Sequence, residues 1–306
     1  MTRRAVLAGI DLGGTASRAL IWDGATVLAS DTEPTASFAG TPAERAGRLA
    51  GMVTRLLPAE TRLAGVGIGA SGPLDSASGV IHNPDTLPQF SGFPLVAEMQ
   101  RRLDVPVLLE NDAAAAAVGE HAAGAGRGAA RMLMVTLGTG IGATFLENGM
   151  PFRGANGMHP EAGHIPVSGE PERCYCGLTG CWEQYASRRA LQRLLQRSCP
   201  DLSPGPGMLR TAAERAAHVP AVAEVFVEYG HRVGRGLAAL QGLFMPEVTV
   251  VGGSAAEHLP LFGESLRREL PRPPGYTIAS EIRPAELGDL AGAIGSAVLA
   301  SRRSAA

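Results

Sequence analysis

The sequence predicts an α/β protein built from two similar halves, and three features carry that prediction. "AVLAGIDLGGTASRALIWDG" near the start reads as strand, tight glycine turn, strand. "RMLMVTLGTGIGATFLENG" repeats the pattern in the middle of the chain, and "EVTVVGGSAAE" supplies a third aliphatic strand that ends on glycines. The echo of one strand–glycine-turn–strand unit in each half favours a duplicated α/β domain over one doubly wound sheet.

The elements follow in order. Aliphatic and β-branched residues flank "DLGGT", so the first turn joins two strands. "GTPAERAGRLAGMVTRLL" has helical spacing, with Thr41 suited to the cap and Pro42 to the first turn. "LAGVGIGASGPLD" is a buried strand that ends in a Ser71-Gly72-Pro73 turn. "VPVLLENDAAAAAVGEHAAGAG" runs a strand straight into an alanine-rich helix that begins near Asn111 and Asp112. Residues 190–245 read as mainly helical, interrupted by the proline- and glycine-rich "CPDLSPGPG". "GDLAGAIGSAVLAS" closes the chain with a helix of small residues suited to close packing. The expected domains are 1–111, completed by a C-terminal helix at 288–306, and 112–287. One glycine turn reads as a plain hairpin. Three, each after an aliphatic strand, point to a phosphate cradle.

Composition narrows the chemistry. The 306 residues are 45% hydrophobic and 18% charged, as in an ordinary soluble protein. With 27 basic against 29 acidic groups the net charge is −2, so no basic face for nucleic acid or a membrane surface is expected. All 27 basic residues are arginine. A P-loop needs a lysine on the phosphates and a protein kinase needs one on its third strand, so both are excluded, as is Schiff-base chemistry. "MTRRAVLAGID" mimics a twin-arginine export signal, but its apolar run stops at Asp11, too short for a signal core of about 7–15 residues. No segment is apolar enough to span a membrane. The expected location is the cytoplasm, where clustered cysteines are metal ligands or redox groups more often than disulfides.

Three of the four cysteines fall in "CYCGLTGCWE". Cys174, Cys176 and Cys181 offer three thiolates, and a tetrahedral zinc wants a fourth ligand. His164 and Cys199 are the candidates; His164 is preferred because "GHIPV" looks like a strand start leading into the loop. The alternative is a loop of unligated cysteines. In "LLENDAAAAA" Asp112 stands at a strand-to-helix switch, where open α/β sheets place ligands. It is a candidate general base, and equally a candidate N-cap for the alanine helix. Asp11 ends an aliphatic run where an acid is out of place, which suggests a magnesium ligand. Glu161 and Glu183 bracket the cysteine loop and could accept hydrogen bonds from sugar hydroxyls.

Together these motifs resemble the ROK family of the sugar kinase–actin superfamily, over essentially the whole chain. The stretch "GANGMHPEAGHIPVSGEPERCYCGLTGCWEQYAS" is similar to the family's G-x-x-x-E-x-G-H followed by C-x-C-G-x2-G-C-x-E. "DLGGT", "LGTGIG", "VGGSA", "END" and "GDLAGAIGSA" occur in the family's order. The resemblance implies two actin-like (ribonuclease H-like) ATPase domains with a cleft between them. It implies an ATP-dependent hexose kinase acting on a sugar 6-hydroxyl, with magnesium, structural zinc and a homodimeric state. Zinc would be held by His164, Cys174, Cys176 and Cys181, and Asp112 would be the base. Ser71, Gly72, Asn111, Gly157, Glu161, His164 and Glu183 would hold the sugar. Asp11, Gly13, Gly14, Thr15, Gly138, Thr139 and Gly140 would hold the phosphates and magnesium, with Gly252 and Gly253 on the adenosine side.

The chain departs from the family pattern at Ala16, Thr86, Phe90, Ala114 and in "HPE", positions that bear on sugar identity or phosphate detail. Glucose, N-acetylmannosamine, N-acetylglucosamine and fructose all stay open as substrates. A sugar-responsive repressor is the rival from another class. Such a protein carries a winged helix-turn-helix before the first glycine turn, and only ten residues precede Asp11. A catalytically silent sugar-binding protein is a further rival, disfavoured by Asp112 and the glycine turns.

Overall fold

A computed structural model describes residues 3–303 except 156, 170, 206 and 271–279. The chain divides into two compact units, Met1–Gly128, Gly149–Pro151 and Glu286–Ala306 in the first, Ala129–Asn148 and Phe152–Ala285 in the second.

Unit 1 begins with the hairpin of β1 (Arg4–Leu12) and β2 (Ala16–Trp22), extended antiparallel by β3 (Val27–Pro34). Helix α1 (Pro42–Leu56) starts where the sequence places it. Thr41 and Glu44 form a capping box, each side chain satisfying the other's backbone N–H. Strand β4 (Thr61–Ala70) returns parallel to β1, and β5 (Leu74–Asp75) and β6 (Val80–Ile81) make a small hairpin. After α2 (Leu95–Leu103), β7 (Val107–Asn111) pairs parallel to β4 and leads directly into α3 (Asp112–Ala123). The sheet order is β3-β2-β1-β4-β7. Its apolar face and α1 and α2 enclose a core that includes Ile10, Leu49, Met52, Ile68 and Met99.

Unit 2 repeats this plan. Strands β8 (Arg131–Leu137) and β9 (Ile141–Glu147) form the hairpin; the two-residue β10 (Met150–Pro151) falls among the residues of unit 1. Helices α4 (Trp182–Ala186), α5 (Arg188–Ser198), α6 (Met208–Ala216) and α7 (Pro220–Phe244) follow. Then come β11 (Val248–Gly252), α8 (Leu259–Arg268) and β12 (Glu281–Pro284). Strand β11 lies parallel to both β8 and β12. An antiparallel hairpin followed by two parallel strands is therefore common to both sheets, as the repeated sequence pattern requires. Trp182, Phe226, Tyr229 and Phe262 anchor this unit's core.

Helix α9 (Ala291–Arg303) belongs to unit 1. So does α3, which the sequence division after residue 111 assigns to the other half. The reason is close packing. A Cβ at Gly295 would strike the Ala115 carbonyl oxygen, and one at Gly119 would strike that of Ala291. Buried Glu120 adds a polar tie: its carboxylate accepts N–H bonds from Ala125 at 2.9 Å, Glu286 at 3.0 Å and Leu287 at 2.8 Å. Among the described residues no helix is long and apolar enough to cross a membrane.

Candidate active site

The candidate residues of unit 1 gather at the carboxyl ends of β1, β4 and β7, the edge where open α/β sheets bind ligands. Asp11, near the end of β1, lies opposite Arg18 of β2. The Arg18 guanidinium is 3.9 Å from the Asp11 carboxylate and 2.6 Å from that of Asp289. Burial first, then the charges of Asp112 and Asp289, outweigh the pull of Arg18 and together raise the Asp11 carboxyl to about 6. Asp11 also lies against the first turn of α9, where a Cβ on Gly292 would come within 2.9 Å of its carboxyl carbon.

The turn Gly13-Gly14-Thr15 is clamped from both sides. Gly13 N–H donates to the Ala16 carbonyl at 3.1 Å, and Thr35 donates its hydroxyl to the Gly13 carbonyl at 2.5 Å and its N–H to the Thr15 carbonyl at 2.9 Å. Thr86 backs Gly14, whose absent Cβ would lie 2.7 Å from the threonine methyl. Buried Asn83 links this region to Ser71 and Gly72: its amide donates to the Gly72 carbonyl at 2.7 Å and its oxygen accepts the Thr86 N–H at 2.9 Å. Sequence reasoning misses Asn83. "HNPDT" signals a turn there, and only the fold brings the side chain between two others.

Asn111, rather than Asp112, is the cap of α3. Its side-chain oxygen accepts the Ala114 N–H at 3.1 Å, which leaves its amide nitrogen as a donor beside Gly72. Asp112 is the first helical residue and accepts the Ala113 N–H at 2.8 Å. The competing assignment of Asp112 as N-cap is thereby corrected.

In unit 2, His164, Cys174, Cys176 and Cys181 place one ligand atom each within 4.8 Å of the others. His164 Nδ1 is 3.5 Å from Cys174 Sγ, and the sulfurs of Cys176 and Cys181 are 3.6 Å apart. Tetrahedral zinc with bonds of about 2.3 Å sets its sulfurs about 3.8 Å apart, so the donor set and spacing fit that ion. The thiols already behave unequally. Burial acts on Cys174, but hydrogen bonds from the Cys176 backbone, Gln184, Cys176 and Cys181 bring it down to about 7. Burial and the neighbouring thiols push Cys181 up to about 12. Bringing all three sulfurs to the thiolate form would take a cation between them. Cys199 lies apart, buried beside Leu195 and Leu202 in the core. His164 ends a short 3-10 turn (Ala162–His164) rather than starting a strand; isolated bridges of Pro166 with Cys181 and of Arg173 with Thr179 follow. Its Nε2 faces the Tyr175 hydroxyl at 3.2 Å, so its two nitrogens can serve separate partners.

Glu183 occupies the first turn of α4, immediately after the cysteine loop. It accepts the Ile141 N–H at 3.0 Å, and a Cβ on Gly140 would collide with its carboxylate. The cysteine loop and the Gly138-Thr139-Gly140 turn are thus one assembly. That turn is closed by a 3.0 Å bond from Gly138 N–H to the Gly140 carbonyl. Gly252 ends β11, and Gly253, with φ +83°, fits against the Leu137 backbone, where a Cβ would lie 2.7 Å away. The second and third glycine turns therefore adjoin. Glu161 is exposed just before the His164 turn, and Gly157, with φ +77°, lies in the loop ahead of it.

Two units of one plan, each with a glycine turn after its first strand, define a duplicated α/β architecture. A sequence model described as "ROK family" matches residues 7–303, and the chain belongs to that family. It is 31% identical to a glucokinase of Streptomyces coelicolor over 95% of this chain and 96% of that one. A ROK hexokinase structure from Thermus thermophilus superposes with a TM-score of 0.82 at 34% identity, over 97% of this chain and 98% of that one. A ROK family glucokinase from Streptomyces griseus, in complex with glucose and AMPPNP, gives a TM-score of 0.77 at 30% identity over 97% and 99% of the two chains.

Proposed function

We propose that this chain is an ATP-dependent hexose kinase that phosphorylates the sugar 6-hydroxyl. The single observation that carries the reading is the pairing, in unit 1, of a glycine turn with two electrostatically coupled acids, Asp11 and Asp112, at the ends of β1 and β7. The glucokinase relatives and the glucose-bound neighbour support hexose and ATP as the substrates.

In this reading Asp112 accepts the proton of the 6-hydroxyl as that oxygen attacks the γ-phosphorus. Asn111 donates its free amide hydrogens to the sugar while its oxygen holds the helix. Ser71 and Gly72 line the same edge, and Gly157, Glu161, His164 and Glu183 offer the further sugar contacts that the family resemblance implies. Backbone N–H groups of Gly14, Thr15, Thr139 and Gly140 cradle the phosphates, while those of Gly13 and Gly138 close their turns; Gly252 and Gly253 lie beside the adenosine. Asp11 fits magnesium: a half-buried carboxylate crowded by a second one is relieved by a cation. That ion would supply charge neutralisation at the phosphates. Zinc held by His164, Cys174, Cys176 and Cys181 would stiffen the loop that presents Glu183. A homodimer, carried over from the family, is checked by light scattering.

An ADP-release assay over a panel of glucose, N-acetylmannosamine, N-acetylglucosamine, fructose and 6-deoxyglucose tests the proposal. It predicts turnover with at least one of the first four and none with 6-deoxyglucose. Hexose binding without turnover would favour a sugar-sensing protein instead.

A further inference from the structure

Phosphoryl-transfer sites set a fixed cation against the phosphate chain, and this sequence has no lysine for the task. Arginine must serve if any side chain does. Among the described residues, Arg18 and Arg188 border the first two glycine turns. Arg18, beside the first, is already committed to Asp289 at 2.6 Å and sits 3.9 Å from Asp11. Arg188, beside the second, has no such partner.

Arg188 is the first residue of α5, a helix capped by Ser187, whose hydroxyl accepts the Ala190 N–H at 3.3 Å. Its backbone N–H donates to the Gly138 carbonyl at 2.9 Å, and its guanidinium donates to the Thr139 hydroxyl at 3.1 Å. This positive group therefore lies on the turn itself. Its Nε is buried and has no hydrogen-bond partner, and among the described residues Arg188 makes no ion pair. Arg188 as a whole is half-buried, and a buried charged N–H left without a partner costs more than a neutral one. A protein that only needed to brace the turn could do so with a neutral side chain. An anion delivered to the turn would meet the remaining N–H donors of the terminal guanidinium nitrogens, which offer phosphate a planar pair.

We infer that Arg188 is a phosphate-binding residue, donating charge-assisted hydrogen bonds to the phosphate chain of ATP seated on the Gly138–Gly140 turn. This rests on the kinase reading and adds a residue to it. The bond to Thr139 holds the guanidinium over the turn before nucleotide arrives, so little side-chain freedom is lost on binding.

Calorimetric titration of the full chain with AMPPNP and with adenosine, for the parent, Arg188→Gln and Arg188→Lys, tests the assignment. Gln keeps a donor for Thr139 and removes the charge; Lys keeps the charge. Arg188→Gln should weaken AMPPNP by about 10–100-fold, the worth of one charge-assisted contact, with adenosine unchanged. Arg188→Lys should recover most of that loss, and the KM for ATP should follow the same order while the KM for sugar stays put. Equal AMPPNP affinity in parent and Arg188→Gln would overturn the inference. So would parallel losses for AMPPNP and adenosine, the mark of a structural brace. A parent that binds AMPPNP but phosphorylates no hexose sinks the kinase reading and leaves the Arg188 comparison intact. A parent that binds no nucleotide sinks both.

Discussion

Replacing Asp11 with asparagine should make the ligand-free protein more stable while removing its activity. The folded carboxyl titrates at about 6 against a reference of 3.8, because burial and then Asp112 disfavour its charge more than Arg18 favours it. The sign follows from proton linkage. The folded state binds its proton more tightly than the unfolded state, so ionisation costs stability in full above the folded pKa and nothing below the unfolded one. Two pKa units amount to about 3 kcal/mol at pH 7.5, and the same relation leaves about 1 kcal/mol at pH 4.5. Asparagine escapes this cost at every pH. Urea unfolding of the magnesium-free parent and Asp11→Asn at the two pH values measures the difference. The variant should be the more stable by about 3 and about 1 kcal/mol respectively, with turnover reduced at least about 100-fold. A variant no more stable than the parent at pH 7.5, or a gap that ignores pH, would refute the electrostatic account of the acidic pair.

Three other outcomes are expected. Asp112→Asn should cut turnover by about 10²–10⁴ through loss of the base. Since Asn111 caps α3, its stability should hold; a steep fall in melting temperature would expose Asp112 as structural. Metal analysis should find one zinc per chain, kept in Cys199→Ser and lost in Cys176→Ser; zinc loss in the former would mean the wrong cysteine has been set aside. Gly295→Ala should destabilise by about 3 kcal/mol, because its methyl has only the Ala115 backbone to enter. Unchanged urea unfolding would contradict the packing of α3 on α9.

Legibility in the sequence followed the range of the interactions. The Thr41 cap, both glycine hairpins and the strand-to-helix step at Asn111 depend on neighbours within a few residues, and each appears where local pattern places it. The cysteine cluster was legible because its ligand types are rare and its family spacing distinctive. Which of Asn111 and Asp112 caps the helix was not, since both are good caps and the choice turns on backbone angles. The assignment of α3 to unit 1 was hidden for another reason. It rests on Glu120 meeting residues 286 and 287, and on glycines of α3 and α9 that meet only in the folded chain. Asn83 and Arg188 share that dependence: each acts on a turn remote in sequence. Glu183, read as a sugar ligand, is also a brace for the second turn through Ile141, a 42-residue separation that no local pattern reveals.

The proposed reaction is transfer of the γ-phosphoryl group of ATP to a hexose hydroxyl. Phosphorus NMR of the purified chain with magnesium, ATP and each hexose observes that transfer without coupling enzymes. The prediction is a hexose 6-phosphate resonance growing in step with ADP, and no ADP in excess of it. ADP accompanied only by inorganic phosphate, or ATP left intact with every hexose, would contradict the claim.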